Sequence, residues 1–297
     1  MNKKLGFITL LLAAASFGSF GIWIRLLSQG INIYQQIVLR NLVAMIIASV
    51  IIIFGKRYLL DFKKIPKIKL LLYALVVPIS VIFYNIAMLS LKIAVATFVF
   101  YIGTILCSYV IGLVIFKEKV TVIKAISIML VLLGLTCFVY PFSFTAATLG
   151  FVAGIISGIF DGAANGFRKD LVGKIDKLFL VFLTAVGGII VSGLMIVQTH
   201  ASLTFLTQMP LQIWLIGILF GLLLIINNFL LLVGFQNYEL GPGVIVLSSE
   251  LFFALIFGFL IFHEIPATNE LIGGLFIISA IVAPNINWQT RKEKIQV

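Results

Sequence analysis

The chain has 297 residues, of which 62% are hydrophobic and only 10% are charged. A soluble domain carries charges on about a quarter of its residues, so this composition excludes a soluble protein and predicts a helical protein that crosses a membrane several times. The net charge of +11 falls in short clusters between apolar runs, a pattern typical of membrane-protein loops, and we therefore expect a lipid bilayer and no nucleic acid as partner.

Ten apolar segments follow one another along the chain, each close to the roughly 17 to 25 residues that a bilayer core requires. The first runs too long for the apolar region of a secretory signal, so we interpret it as a retained span. The segments are predicted at residues 5–27, 33–54, 68–91, 94–116, 121–140, 148–167, 178–198, 212–235, 241–262 and 269–287.

Basic residues concentrate in alternate loops and at both ends of the chain. Eighteen of the 21 lysines and arginines lie on one side if the N-terminus is placed in the cytoplasm. The positive-inside rule therefore predicts a multi-pass protein of the cell (inner) membrane with both termini cytoplasmic.

The chain also repeats. GLVIFKE at residues 112–118 recurs as GFLIFHE at 258–264, and LGFITLLLAA from Leu5 is echoed by LGFVAGIISG from Leu149. Each half holds five spans, an odd number, so the halves must insert in opposite orientations. We predict an all-α fold of ten transmembrane helices in two inverted five-helix repeats, residues 1–146 and 147–297. Inverted repeats are typical of secondary transporters, whose substrate site lies between the halves.

Glu250 is the first candidate for the site, because an ionisable residue inside a span is costly and usually functional. It lies about 15 Å along its helix from Leu240, near the bilayer midplane. Ser248 and Ser249 add hydroxyl groups beside it. Glu250 can either bind the proton of a proton-coupled carrier or serve as a structural carboxyl that bonds a neighbouring helix.

Asp161 in the sixth span is the second candidate. Asp161 and Asn165 share one helix face, which meets either the cavity or a cation such as Arg168. Glycines 158, 162 and 166 predict close helix packing on the same span.

Further polar and aromatic residues within the spans are additional candidates for the substrate site. Arg40 either pairs with a buried acid, the interpretation we favour, or holds a substrate carboxylate, whereas Arg25 is expected to be an interfacial anchor. The remaining substrate-site candidates are Tyr84, Asn85, Tyr101, Asn227 and Trp23.

The five-plus-five arrangement, with Gly-x-x-Ile-Phe-x-Glu at the end of the fourth and ninth spans, resembles the drug/metabolite transporter superfamily, specifically its EamA-type branch. Arg40, Gly134 and Gly273-Gly274 add to the resemblance. It implies a central cavity lined by the first, third, fourth, sixth, eighth and ninth spans, with the fifth and tenth at the periphery. It also implies export or exchange of small metabolites, amino acids among them.

The sequence thus predicts a secondary active transporter of small polar metabolites, first of all amino acids, with proton coupling as a hypothesis. A uniporter or facilitator, and a non-transporting scaffold or lipid-handling protein, stay open as alternatives. We expect neither an enzyme nor a cofactor or metal site, because the chain has no phosphate-binding loop and its two histidines, His200 and His263, have no ligand spacing. The oligomeric state is left open.

Overall fold

The structure is a computed structural model that describes residues 2–55, 67–119, 121–139, 148–202 and 204–286. The described residues form helices joined by short connections. These are α1 (Lys3–Gly18), α2 (Phe20–Leu27), α3 (Ile33–Phe54), α4 (Lys67–Ser90), α5 (Ile93–Val114), α6 (Val122–Val139), α7 (Thr148–Leu171), α8 (Lys177–Gln198), α9 (Phe205–Gln208), α10 (Leu211–Asn237), α11 (Leu240–Leu247), α12 (Glu250–Phe262) and α13 (Thr268–Ile286).

Eight helical units within the described ranges are long and apolar enough to cross a membrane. Two of them are interrupted, since α1 and α2 together form the unit Lys3–Leu27, and α11 and α12 form Leu240–Phe262. Helices α6 and α13 contain shorter apolar stretches, Val122–Gly134 and Leu271–Ala280. The all-helical membrane fold is therefore confirmed.

Helices lie at all ten predicted positions, and most of their ends agree within three residues. The sixth segment differs, because α7 continues past the predicted end at residue 167 to Leu171. Its last turn thereby places Arg168 inside the helix rather than in a loop. Several of the basic residues that set the predicted orientation lie outside the described residues, namely Lys56, Arg57, Lys63, Lys64, Arg291, Lys292 and Lys294.

The outer surface of the helices is apolar. Phe54, Val114 and Leu149 expose 83%, 72% and 69% of their areas, whereas Arg40, Asn85, Asn165 and Glu250 are buried. This distribution is the reverse of that in a soluble protein, and it suits a surface that contacts lipid tails.

Glycines allow α5 and α7 to pack at backbone contact. A Cβ atom on Gly158 would lie 2.0 Å from the Phe100 carbonyl oxygen, and one on Gly103 would lie 2.5 Å from the Ile155 carbonyl oxygen. Gly162 and Gly166 face α5 as well, so the predicted packing face of the sixth span is confirmed. Helices α6 and α13 pack mainly on each other.

Candidate functional site

A polar cavity lies among α1–α5, α7 and α10–α12. The space open to the centre of a water molecule is ≈ 90 Å³, which is room for several waters. Phe17, Phe20 and Phe100 line it together with polar groups. The polar lining residues are Arg40, Ser80, Tyr84, Asn85, Tyr101, Asp161, Asn165, Arg168, Asn228 and Glu250.

Glu250 faces this cavity and is held by two phenols. The Tyr84 hydroxyl donates to its Oε1 at 2.8 Å and the Tyr101 hydroxyl to its Oε2 at 2.6 Å. Only 2% of Glu250 is exposed, and no salt bridge to it occurs among the described residues. Hydroxyl groups can satisfy a buried carboxyl group in place of a counter-ion. Glu250 is therefore a buried acid that lines the cavity and has no cationic partner among the described residues.

The helix break at Ser248-Ser249 presents Glu250 to the cavity. Here the backbone changes to i→i−3 hydrogen bonds, so the Leu251 N–H donates to the Ser248 carbonyl. The Leu247 carbonyl oxygen lies 2.8 Å from the Tyr101 hydroxyl, whose single hydrogen is shared between this oxygen and Glu250. The Ser248 and Ser249 hydroxyls donate to the Ile245 and Val246 carbonyls. Such back-bonding bends helices. The two serines therefore shape the break rather than bond Glu250.

Asp161, Asn165 and Arg168 form a second polar group on one face of α7. The Asn165 amide donates to Asp161 Oδ2 at 2.8 Å, and Arg168 Nη1 lies 3.2 Å from Asp161 Oδ1. Arg168 also donates to the Asn165 side-chain carbonyl. The two alternatives for Asp161 are therefore both realised, because it lines the cavity and pairs with Arg168.

Arg40 lines the cavity without an acidic partner. The favoured interpretation, a structural ion pair, is wrong for the described residues, where no acid lies within salt-bridge distance of Arg40. Its Nε and Nη1 atoms have no hydrogen-bond acceptor, and its guanidinium stacks 4.7 Å from the centre of the Phe220 ring. A ring face offsets only part of a buried charge.

Of the remaining candidates, some line the cavity and others pack between helices. Asn85 lines the cavity, and neither its amide nitrogen nor its oxygen has a partner. Asn227 is buried but is not a lining residue, whereas Asn228 lines the cavity and donates to the Leu224 carbonyl. Trp23 stacks on Phe220, with ring centres 6.1 Å apart.

Two clusters of contacts flank the cavity at opposite ends of the unit formed by α11 and α12. In the Glu118 cluster, Lys169 Nζ lies 3.5 Å from Glu118, donates to the Tyr238 carbonyl at 2.8 Å and lies 5.5 Å from the Phe116 ring centre. Glu118 also accepts from the backbone N–H groups of Leu240 and Gly241, the first residues of α11.

In the Glu264 cluster, beyond the end of α12, Arg25 Nη1 lies 2.7 Å from Glu264. Arg25 Nη2 donates to the Leu91 carbonyl at 3.4 Å, and its guanidinium lies 5.0 Å from the Phe262 ring centre. Arg25 is therefore an ion-pair partner of Glu264, and its predicted role as an interfacial anchor stays a prediction.

Sequence reasoning did not place Ser80, Arg168 or Asn228 in the cavity. Arg168 follows Asp161 by seven residues, two helical turns, so a longer sixth helix would have placed it on the same face. Ser80 carries no such signal. It is positioned by mutual hydrogen bonds with Ser157, in which each hydroxyl donates to the other residue's backbone carbonyl.

The described residues contain no group of three or more His, Cys, Asp or Glu side chains that could hold a metal ion. Cys107 and Cys137 are free thiols. The polar chemistry of the cavity therefore comes from carboxyl, guanidinium, amide and hydroxyl groups.

Comparison with known proteins identifies the relationship. Residues 4–140 match the model of the EamA-like transporter family. The resemblance predicted from the sequence is thus confirmed over these residues. The protein, called the EamA-like chain from here on, is a multi-pass membrane protein that is similar to a transporter family in its first half.

A solved structure titled only "Crystal structure of protein" is similar to this EamA-like chain. The two share 10% sequence identity at a TM-score of 0.78, and the alignment covers 96% of this chain and 99% of the other. At that identity the likeness shows the fold alone. A search of curated proteins finds no match.

Proposed function

We propose that the EamA-like chain is a secondary active transporter of small polar metabolites, amino acids first, that works by alternating access. The observation that carries this proposal is a polar cavity around Glu250 that lies between two equivalent contact clusters. Glu250 is the proposed proton-binding group. The protein is proposed to span the cell membrane ten times, with α6 and α13 as the fifth and tenth spans and both termini in the cytoplasm.

The two clusters support an inverted repeat of residues 1–146 and 147–297. Phe116 and Glu118 correspond to Phe262 and Glu264 at a shift of 146 residues, and each glutamate follows a residue at φ 52°. Lys169 corresponds to Arg25 at a shift of 144, the shift that relates Leu149 to Leu5. Residues that correspond at shifts of 144 and of 146 therefore make the same interactions in both clusters.

Glycine contacts repeat in the same way. A Cβ atom on Gly18 would lie 2.5 Å from the Cβ of Phe253, and one on Gly162 would lie 2.6 Å from the Cβ of Cys107. Gly18 and Gly162 differ by 144 residues, and Cys107 and Phe253 by 146. The contacts between helices repeat as well. Helix α1 packs on α10 and α12, and its counterpart α7 packs on their counterparts α4 and α5. An approximate twofold relation between the halves accounts for each of these pairs.

The clusters also suggest how access would alternate. Each joins the ends of helices that belong to different halves, and each lies at one end of the unit that carries Glu250. Separation of one cluster while the other stays closed would connect the cavity to one side of the membrane only. Equal halves that rock about a midplane site provide such a motion.

The cavity lining suits small substrates with both charged and apolar parts. It combines a carboxyl group at Glu250, cationic groups at Arg40 and Arg168, and the rings of Phe17 and Phe100. Amino acids carry complementary groups on a small frame, which is the support for placing them first among the substrates.

Reconstituted vesicles test the proposal directly. Purified protein is inserted into liposomes, and uptake of a panel of labelled amino acids is followed with and without an imposed proton gradient. We expect accumulation above equilibrium for at least one amino acid when the gradient is present. Equilibration without accumulation would instead favour the facilitator, and the absence of flux for every compound would favour the scaffold or lipid-handling alternative.

A further inference from the structure

Arg40 is a buried cation whose hydrogen-bonding capacity is largely unused. Only 2% of the residue is exposed, and two of its three guanidinium nitrogens have no acceptor. An unpaired charge is strongly unfavourable in a low-dielectric interior. The uncompensated charge of Arg40 in the free protein therefore favours the binding of an anionic ligand.

The other charges of the cavity are already engaged. Arg168 pairs with Asp161, and Glu250 accepts from Tyr84 and Tyr101 rather than from Arg40. Arg40 therefore has no direct counter-ion among the described residues. The cavity carries one positive charge in excess when Glu250 is protonated, because Arg40 and Arg168 then face Asp161 as the only ionised acid of the lining.

The single positive charge of Arg40 favours a ligand group that carries one negative charge. A carboxylate carries one negative charge and matches the fork of a guanidinium group. A phosphate monoester carries about −1.5 to −2 charges at neutral pH, more than this one cation balances. Asn85, buried with an unpartnered amide in the same cavity, offers both a donor and an acceptor to the rest of the molecule.

We infer that Arg40 binds the carboxylate group of the substrate. The substrate is then a small carboxylate-bearing metabolite, oriented by Arg40 on the Phe220 side of the cavity. The inference rests on the proposed transport function, but it concerns binding and can be measured without transport.

Trp23 provides a local reporter, because it stacks on the same Phe220 ring as Arg40. In a Trp214→Phe, Trp288→Phe background it is the only remaining tryptophan. The probes are acetate, lactate and L-amino acids other than tryptophan and tyrosine, each at up to 50 mM, together with the matching amino acid amides, which lack the carboxylate. We expect a saturable change in Trp23 emission with at least one carboxylate, and roughly 10- to 100-fold weaker binding of its amide.

Arg40→Gln in the same background should weaken binding of that carboxylate by the same factor. Arg40→Lys keeps the charge but loses the forked guanidinium group, so its carboxylate affinity should lie between that of the parent and that of Arg40→Gln. It serves as the test if the glutamine variant does not fold. Lys69→Gln is the matched control, since Lys69 pairs with Asp170 at the surface and belongs neither to the cavity lining nor to either contact cluster; it should bind as the parent does.

Three results would overturn the assignment: equal carboxylate affinity in the parent and the Arg40 variant, amides that bind as tightly as acids, or no binding by any carboxylate. Binding that depends on Arg40 in a protein that shows no flux in vesicles would support the carboxylate site and contradict the transport function. Failure of the carboxylate assignment and failure of the transport proposal therefore give different results.

Discussion

Glu118 and Glu264 occupy equivalent environments at opposite ends of the α11–α12 unit. Each backbone N–H donates to a glycine carbonyl six residues earlier, that of Gly112 or Gly258, and each carboxylate pairs with a cation from the other half. Glu118 has two further bonds at the start of α11. The Glu118 carboxylate therefore makes more contacts than the Glu264 carboxylate, although its ion pair is longer, at 3.5 Å against 2.7 Å.

The first prediction is that glutamine at these two positions opens opposite sides of the protein. In a Cys107→Ala, Cys137→Ala background, a Ser80→Cys reporter in the cavity is labelled with a membrane-impermeant maleimide. We expect Glu264→Gln to raise labelling in intact cells, and Glu118→Gln to raise it in inverted vesicles, because each loses one ion pair that closes its end. Labelling that rises on the same side for both variants would contradict the gating role.

The second prediction concerns Glu250→Gln. Glutamine keeps the shape of the side chain and an acceptor for one tyrosine, but it cannot bind and release a proton. We expect the variant to remain folded and to exchange substrate across vesicles, while its accumulation ratio falls to the value without a proton gradient. Retention of gradient-driven, pH-dependent accumulation would exclude Glu250 as the coupling group.

The third prediction tests the α5–α7 contact. In Gly158→Ala the added Cβ would meet the Phe100 carbonyl at 2.0 Å, so the two helices must separate, and we expect a loss of about 1–3 kcal/mol of stability. Gly193→Ala is the control, because no described atom outside the local backbone of its own helix lies within 4 Å of the Cβ position. Thermal unfolding in detergent should show a lower Tm for the first variant only; equal Tm values would contradict the close packing.

The fourth prediction separates function from stability at Arg40. Replacing even a buried ion pair by apolar residues of similar volume is often neutral or stabilising by about 1–4 kcal/mol, and Arg40 has no acidic partner among the described residues to offset its desolvation. We therefore expect Arg40→Met to unfold, in the absence of substrate, at the same or a higher temperature than the parent protein. A large decrease in Tm would indicate that Arg40 holds the fold together through partners other than a substrate.

The sequence predicted the helix positions because spans obey simple rules of length and hydropathy, and it predicted Glu250 because a carboxyl group in a span stands out. It did not predict the break at Ser248-Ser249, where hydroxyl groups replace part of the helical hydrogen bonding, nor the choice of Asn228 over Asn227. Such choices depend on the rotation of a helix against its neighbours. For Arg40, sequence reasoning favoured the wrong alternative, because it assumed that a buried charge must have a partner within the chain.

The division of charges between the halves has one more consequence. The Glu118 cluster takes its acid from residues 1–146 and its cation from residues 147–297, and the Glu264 cluster does the reverse. Neither half carries both members of either pair, so both ion pairs would be absent from a fragment of residues 1–146 or 147–297 alone. In a complex of the two fragments, both pairs would be intermolecular contacts, and four charged side chains would thus contribute to the affinity between the fragments.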